Sequence, residues 1–152
     1  MNNYFMKKAL KQAEIAYQKE EVPIGCVIVK DGKIIASAYN MREELNDPTA
    51  HAEIIALQDA SEILGGWRLT GCTMYVTIEP CAMCAGAIVN SRIDKLIIGS
   101  MDKKAGACGS ILNIVQNDKL NHRVEMITGI MEQECSNIMK NFFKDLRKKH
   151  KK

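Results

Sequence analysis

The chain has 152 residues, 47% of them apolar and 26% charged, and a formal net charge of +3; this suits one globular domain spanning residues 1–152 with a core of its own. No run of about 18 apolar residues is present, so no membrane-spanning helix is expected. Residues 1–8 lack an apolar core and a cleavage site, so no signal segment is expected, and the six cysteines are expected as reduced thiols in a cytoplasmic protein.

Residues 3–19 carry Phe5, Ala9, Ala13 and Ala16-Tyr17 at roughly helical spacing, which predicts a helix that Pro23 ends. Ile24 to Lys30 and Lys33 to Tyr39 flank Asp31-Gly32, the strongest hairpin signal in the chain. A polar loop over 40–49 follows. A helix is predicted from His51 to about Leu64, stopped by Gly65-Gly66. Thr73 to Ile78 reads as a buried strand. Pro80 is placed to open a helix through Cys81 to about Asn90. Lys95 to Gly99 reads as a strand, 101–110 as a loop, Ile111 to Val115 as a short helix and Val124 to Thr128 as a weak strand. The last helix, from about Met131 to Lys149, has Cys135, Ile138, Met139, Phe142, Phe143 and Leu146 on one stripe. Strands alternating with helices imply an α/β sheet covered on both faces, with an antiparallel hairpin and otherwise parallel crossovers.

Charge is uneven along this order. Residues 140–152 hold seven Lys/Arg and one acid, a net +6, and the remainder sums to −3. The basic end suits an anionic partner. It equally suits a solvated helix end, where cations favour the dipole.

Chemistry concentrates in His51-Ala52-Glu53 and Pro80-Cys81-Ala82-Met83-Cys84. The two half-motifs supply one imidazole, two thiols and one carboxylate, the set for a catalytic zinc site: three ligands (His51, Cys81, Cys84), an open position for water, and Glu53 beside it as proton carrier. Both fall at helix starts, where first-turn side chains lean toward the N-terminus, and Cys81 and Cys84 share one helix face. Either half-motif alone is weak, since His-x-Glu is an ordinary helix start and a lone C-x-x-C is often redox-active or structural. Their combination in this order is the signature of zinc nucleobase deaminases. Cys26, Cys72, Cys108 and Cys135 are expected as small buried hydrophobes, and His122 as a packed loop residue, not a ligand. Phe142 fits the core stripe, while one ring of the Phe142-Phe143 pair could stack on a base.

These motifs, with Glu21-Val22-Pro23-Ile24-Gly25, Asn40, Asp47-Pro48-Thr49-Ala50, Gly106-Ala107-Cys108-Gly109-Ser110 and Asn121-His122-Arg123-Val124, closely resemble the bacterial tRNA-specific adenosine deaminases, a family of the cytidine deaminase-like superfamily. The resemblance covers nearly the whole chain. It implies a three-layer α/β/α sandwich around a five-stranded mixed sheet, one Zn2+ per chain, and a homodimer. The implied substrate is the wobble adenosine in the anticodon loop of an arginine tRNA, converted to inosine. Asn40 matches a residue that hydrogen-bonds the target base, and Asp102 falls where the family contacts the anticodon-loop backbone. The competing expectation is a deaminase of a free base or nucleotide such as guanine, which needs the zinc site but no basic tail. A catalytically dead nucleic-acid-binding subunit is disfavoured by the intact Glu53, and a structural zinc module by the missing fourth ligand.

Overall fold

The computed structural model describes residues 1–150. Its elements are α1 (Asn2–Gln18), β1 (Gly25–Lys30), β2 (Lys33–Tyr39), α2 (Ala52–Leu64), β3 (Cys72–Ile78), α3 (Ala82–Asn90), β4 (Lys95–Ser100), β5 (Glu125–Ile127) and α4 (Glu132–His150). The five strands form one mixed sheet in the order β2-β1-β3-β4-β5. β1 pairs antiparallel with both β2 and β3, and β3, β4 and β5 run parallel. β2 and β3 therefore point the same way, and the crossover through α2 steps over β1.

The hairpin forms because Asp31 and Gly32, at φ 51° and 76°, both occupy the left-handed region that a tight two-residue turn demands. Side-chain alternation along the strands then separates two cores. Cys26 and Ile28, Met74 and Val76, and Leu96 and Ile98 face α2 and α3, packing on Ala56, Ala60, Ala85 and Ile88. Val27, Val29, Tyr75 and Ile97 face the other way, onto Phe5, Met6 and Ala9 of α1 and Cys135 of α4. Helices thus cover both faces, giving the expected three-layer α/β/α sandwich, and the central strands read as continuous apolar runs for that reason.

Three expectations change. Pro23 does not end the first helix. α1 stops at Gln18, where Glu20 turns left-handed (φ 62°) and the Glu21 N–H returns to the Ala16 carbonyl at 2.9 Å. The short helix over 111–115 is absent. There the N–H groups of Ile111 and Ile114 donate back to the carbonyls of Gly106 and Ala107, both at 2.9 Å, so the backbone closes on the preceding loop instead of up a helix. The apolar stripe of α4 outruns the sheet. Of its residues Cys135 and Phe142 are buried, whereas Phe143 and Leu146 are 39% and 38% exposed. Lys151 and Lys152 lie outside the described residues.

The other cysteine and histidine expectations hold. Cys26, Cys72, Cys108 and Cys135 are buried free thiols. His122 sits 2.7 Å from the Ile93 carbonyl through Nε2, a loop tie far from the thiol pair in sequence.

Candidate active site

The two half-motifs meet beyond the carboxyl ends of β2 and β3, the edge where open α/β sheets hold their ligands. His51 is the N-cap of α2 and Cys81 the N-cap of α3, both in extended backbone conformation, and neither side chain is spent on a capping hydrogen bond. Ser, Thr, Asp or Asn usually fills such a position and binds the helix's own N–H groups. Here the imidazole and thiol stay available for something else.

His51 Nδ1 lies 3.7 Å from Cys81 Sγ and 3.5 Å from Cys84 Sγ. A tetrahedral zinc with ordinary Zn–N and Zn–S lengths requires an N···S edge of about 3.6 Å. The donor set and its spacing therefore fit that ion, and no other cluster of metal-ligating side chains occurs among the described residues. Both helix N-termini point their partial positive charge at the thiols, which favours thiolate. The Cys81 thiol is held down at about 5, first by the hydrogen bond it accepts from Cys84, with help from backbone N–H groups and the His51 charge. Cys84 moves upward because it is the donor in that pair and is buried.

Glu53 stands in the first turn of α2, 3% exposed, and is not a member of the ligand group. Burial raises its carboxyl from the usual range to about 7. A carboxyl balanced there can take a proton in one step and return it in the next. Glu53, His51 and Cys81 line one pocket of about 140 Å³ together with Asn40, Asp102 and Arg42. The Asn40 side chain is 3% exposed and fixed at both ends: Nδ2 donates to the Val22 carbonyl at 3.2 Å, and Oδ1 accepts from the Arg42 N–H at 3.2 Å. Each end keeps capacity for one more bond. Asp102 turns one oxygen onto its own loop, accepting from the N–H groups of Lys104 and Ala105 at 3.0 and 3.2 Å.

The two phenylalanines separate. Phe142 is buried, with its ring edge-on to Tyr17 at 5.6 Å between centroids. Phe143 lies outside the 140 Å³ pocket but lines a larger cleft of about 830 Å³ with Lys103, Lys104, Lys140 and Arg147. Pocket and cleft share Val22, Ile24, Arg42, Ile78 and Asp102, so the two adjoin.

Two site residues were not legible as such. Glu21 sits, 1% exposed, under the 40–49 loop and accepts the N–H groups of Glu43 and Glu44 at 3.1 and 2.7 Å. Glu79 does the same for the 101–110 loop. A single acid beside a proline or a strand end carries no local sign of such a role. The one available hint is that Glu79 interrupts an apolar stretch; Glu21 follows Lys19-Glu20 and offers none.

A family model for MafB19-like deaminases matches residues 2–147. The tRNA-specific adenosine deaminase of Bacillus subtilis is 48% identical over 147 residues, 97% of this chain and 91% of its own length. That of Aquifex aeolicus is 49% identical, covering 95% of each chain. A solved structure from a study of A-to-I editing by tRNA:A34 deaminases superposes with a TM-score of 0.86 at 44% identity, over 89% of this chain and 98% of that one. A guanine deaminase from Nitrosomonas europaea, at 19% identity and a TM-score of 0.79 over 90% of this chain and 81% of that one, shares the fold. With one imidazole and two thiols gathered beside a carboxyl group that is not one of them, the chain is an enzyme that belongs to the MafB19-like deaminase family, with the tRNA-specific adenosine deaminases among its relatives.

Proposed function

We propose that this protein hydrolytically deaminates adenosine to inosine at the wobble position of an arginine tRNA, with one zinc ion per chain. The observation that carries this reading is the pocket itself. It holds His51, Cys81 and a non-ligating Glu53 and adjoins a cleft lined by five Lys and Arg side chains and the half-exposed ring of Phe143. A free purine needs the pocket alone. An anticodon loop, with unpaired bases and a phosphate backbone, uses the cleft as well. The near half identity to tRNA-specific adenosine deaminases supports the same substrate class.

His51, Cys81 and Cys84 would hold the zinc, which lowers the pKa of a bound water toward about 7. Glu53 takes a proton from the attacking water and delivers it to the purine ring nitrogen. It carries a further proton to the leaving amine, so that a C–O bond replaces the exocyclic C–N bond and ammonia departs. Asn40, pre-set by its two backbone bonds, presents one spare donor and one spare acceptor to the base edge. Asp102 and Arg42 stand at the mouth, where the flanking backbone would pass.

The homodimer implied by the resemblance has a face suited to it. Ile54, Leu57 and Ala87 of α2 and α3 line an apolar groove beside Trp67, which is 54% exposed. Six free thiols suit a reducing cytoplasm, and no described helix is long and apolar enough to cross a membrane. The deciding test is inosine sequencing of arginine tRNA after incubation with the purified protein, beside guanine, cytidine and free adenosine. Inosine at the wobble position supports the reading. Ammonia release from guanine alone overturns it in favour of a free-base deaminase.

A further inference from the structure

Glu79 follows β3, immediately before Pro80-Cys81, and is 3% exposed. Among the described residues no cation pairs with it. Its partners are donors from a single loop. Oε1 accepts the Asp102 N–H at 2.9 Å and the Ser110 hydroxyl at 2.5 Å, and Oε2 accepts the N–H groups of Cys108 and Ser110 at 2.9 and 3.0 Å. Burial would raise this carboxyl, yet the four hydrogen bonds outweigh it and hold the group below the usual range. Gly106 leaves the room required, since a Cβ there would overlap the Glu79 carboxyl group. The same loop supplies Asp102 and Ala105 to the pocket wall and Lys103 and Lys104 to the cleft.

We propose that Glu79 is a positioning residue for substrate, acting through Asp102: its carboxylate fixes the 102–110 loop as the outer wall of the pocket. The inference rests on the tRNA reading for its substrate and on hydrogen bonding for its mechanism. Three of the four donors are backbone N–H groups, which can only donate. Only the Ser110 hydroxyl can reverse its role. A carboxamide at position 79 therefore has one satisfactory orientation. Its oxygen faces Cys108 and Ser110 N–H, its NH2 donates to the Ser110 hydroxyl, and the Asp102 N–H is left without an acceptor. Glu79→Gln thus releases one end of the loop and keeps the other.

The experiment combines amide hydrogen exchange with kinetics on an anticodon stem-loop RNA. In Glu79→Gln, exchange at the Asp102 amide should accelerate about tenfold while Cys108 and Ser110 stay protected, the effect expected of one lost buried hydrogen bond. KM should rise about tenfold, with kcat within twofold and zinc content unchanged. The Ser110→Ala variant, which removes the hydroxyl but leaves the Asp102 bond, should keep a KM near wild type. Glu79→Gln and Asp102→Ala should be non-additive in KM, because one acts through the other. If Glu79→Gln does not fold, Gly106→Ala, whose Cβ would press on the Glu79 carboxyl group and the Asp102 carbonyl, loosens the same loop with Glu79 in place and should also raise KM and accelerate exchange at the Asp102 amide. Unchanged exchange at Asp102, or a loss of kcat and zinc together with unchanged KM, overturns the proposal. An inactive wild-type protein would count against the tRNA reading instead, and the exchange result would still decide the role of Glu79.

Discussion

Cations in the cleft should dominate the salt dependence of RNA binding. Lys103 and Lys104 come from the 101–110 loop and Lys140 and Arg147 from α4, and all four line the cleft that adjoins the pocket. Among the described residues none of them lies within ion-pair distance of an acid, whereas Lys149 pairs with Glu20. Replacing the four with Gln removes up to four phosphate contacts. At about 0.7 per contact on a single-stranded loop, the log–log slope of affinity against salt should fall by up to about 2.8. Between about 50 and 200 mM salt, the wild-type protein would then lose roughly 50-fold more affinity than the variant. Two contacts made in practice would halve the slope change to about 1.4. Fluorescence titration of a labelled anticodon stem-loop at four salt concentrations measures this. Zinc content and Tm serve as controls, since all four side chains project from the surface. An unchanged slope with unchanged affinity would refute the assignment and leave the basic helix end as a solvated surface.

Glu53→Ala should abolish deamination while metal content stays near one per chain, and Cys84→Ala should lose the metal; elemental analysis separates the two, and metal loss in Glu53→Ala would make Glu53 a ligand. Sedimentation should give twice the chain mass of 17.0 kDa, with Ile54→Glu plus Trp67→Glu shifting the equilibrium to monomer. A wild-type monomer at micromolar concentration would remove the groove between α2 and α3 from the interface. Gly99→Ala should destabilise the protein by about 1–3 kcal/mol, because a Cβ there would lie 2.6 Å from the Thr77 carbonyl oxygen and against the Cys135 thiol of α4. Thermal unfolding checks it, and an unchanged Tm would mean that α4 sits less tightly on β4 than the structure has it.

The features legible before the fold is known lie within short windows. Asp31-Gly32 sets the hairpin because the turn chemistry involves two adjacent residues. The β-branched runs of β1, β3 and β4 mark buried strands. His51 and Glu53, and Cys81 and Cys84, declare their chemistry because each pair's spacing places both side chains near one helix start. Residues 111–115 misled for the same reason. Their local pattern is compatible with a helix, and hydrogen bonds to Gly106 and Ala107 decided against it. Only the tertiary structure placed β1 between β2 and β3, brought His51 within 3.5 Å of a thiol 33 residues away, and buried Phe142 while leaving Phe143 exposed. It alone showed what Glu21 and Glu79 hold, across 22 to 31 residues of chain. The physical reason is one of range: periodicity and turn preference report the conformation of a few neighbouring residues, whereas a buried carboxylate is decided by which distant N–H groups the folded chain brings to it.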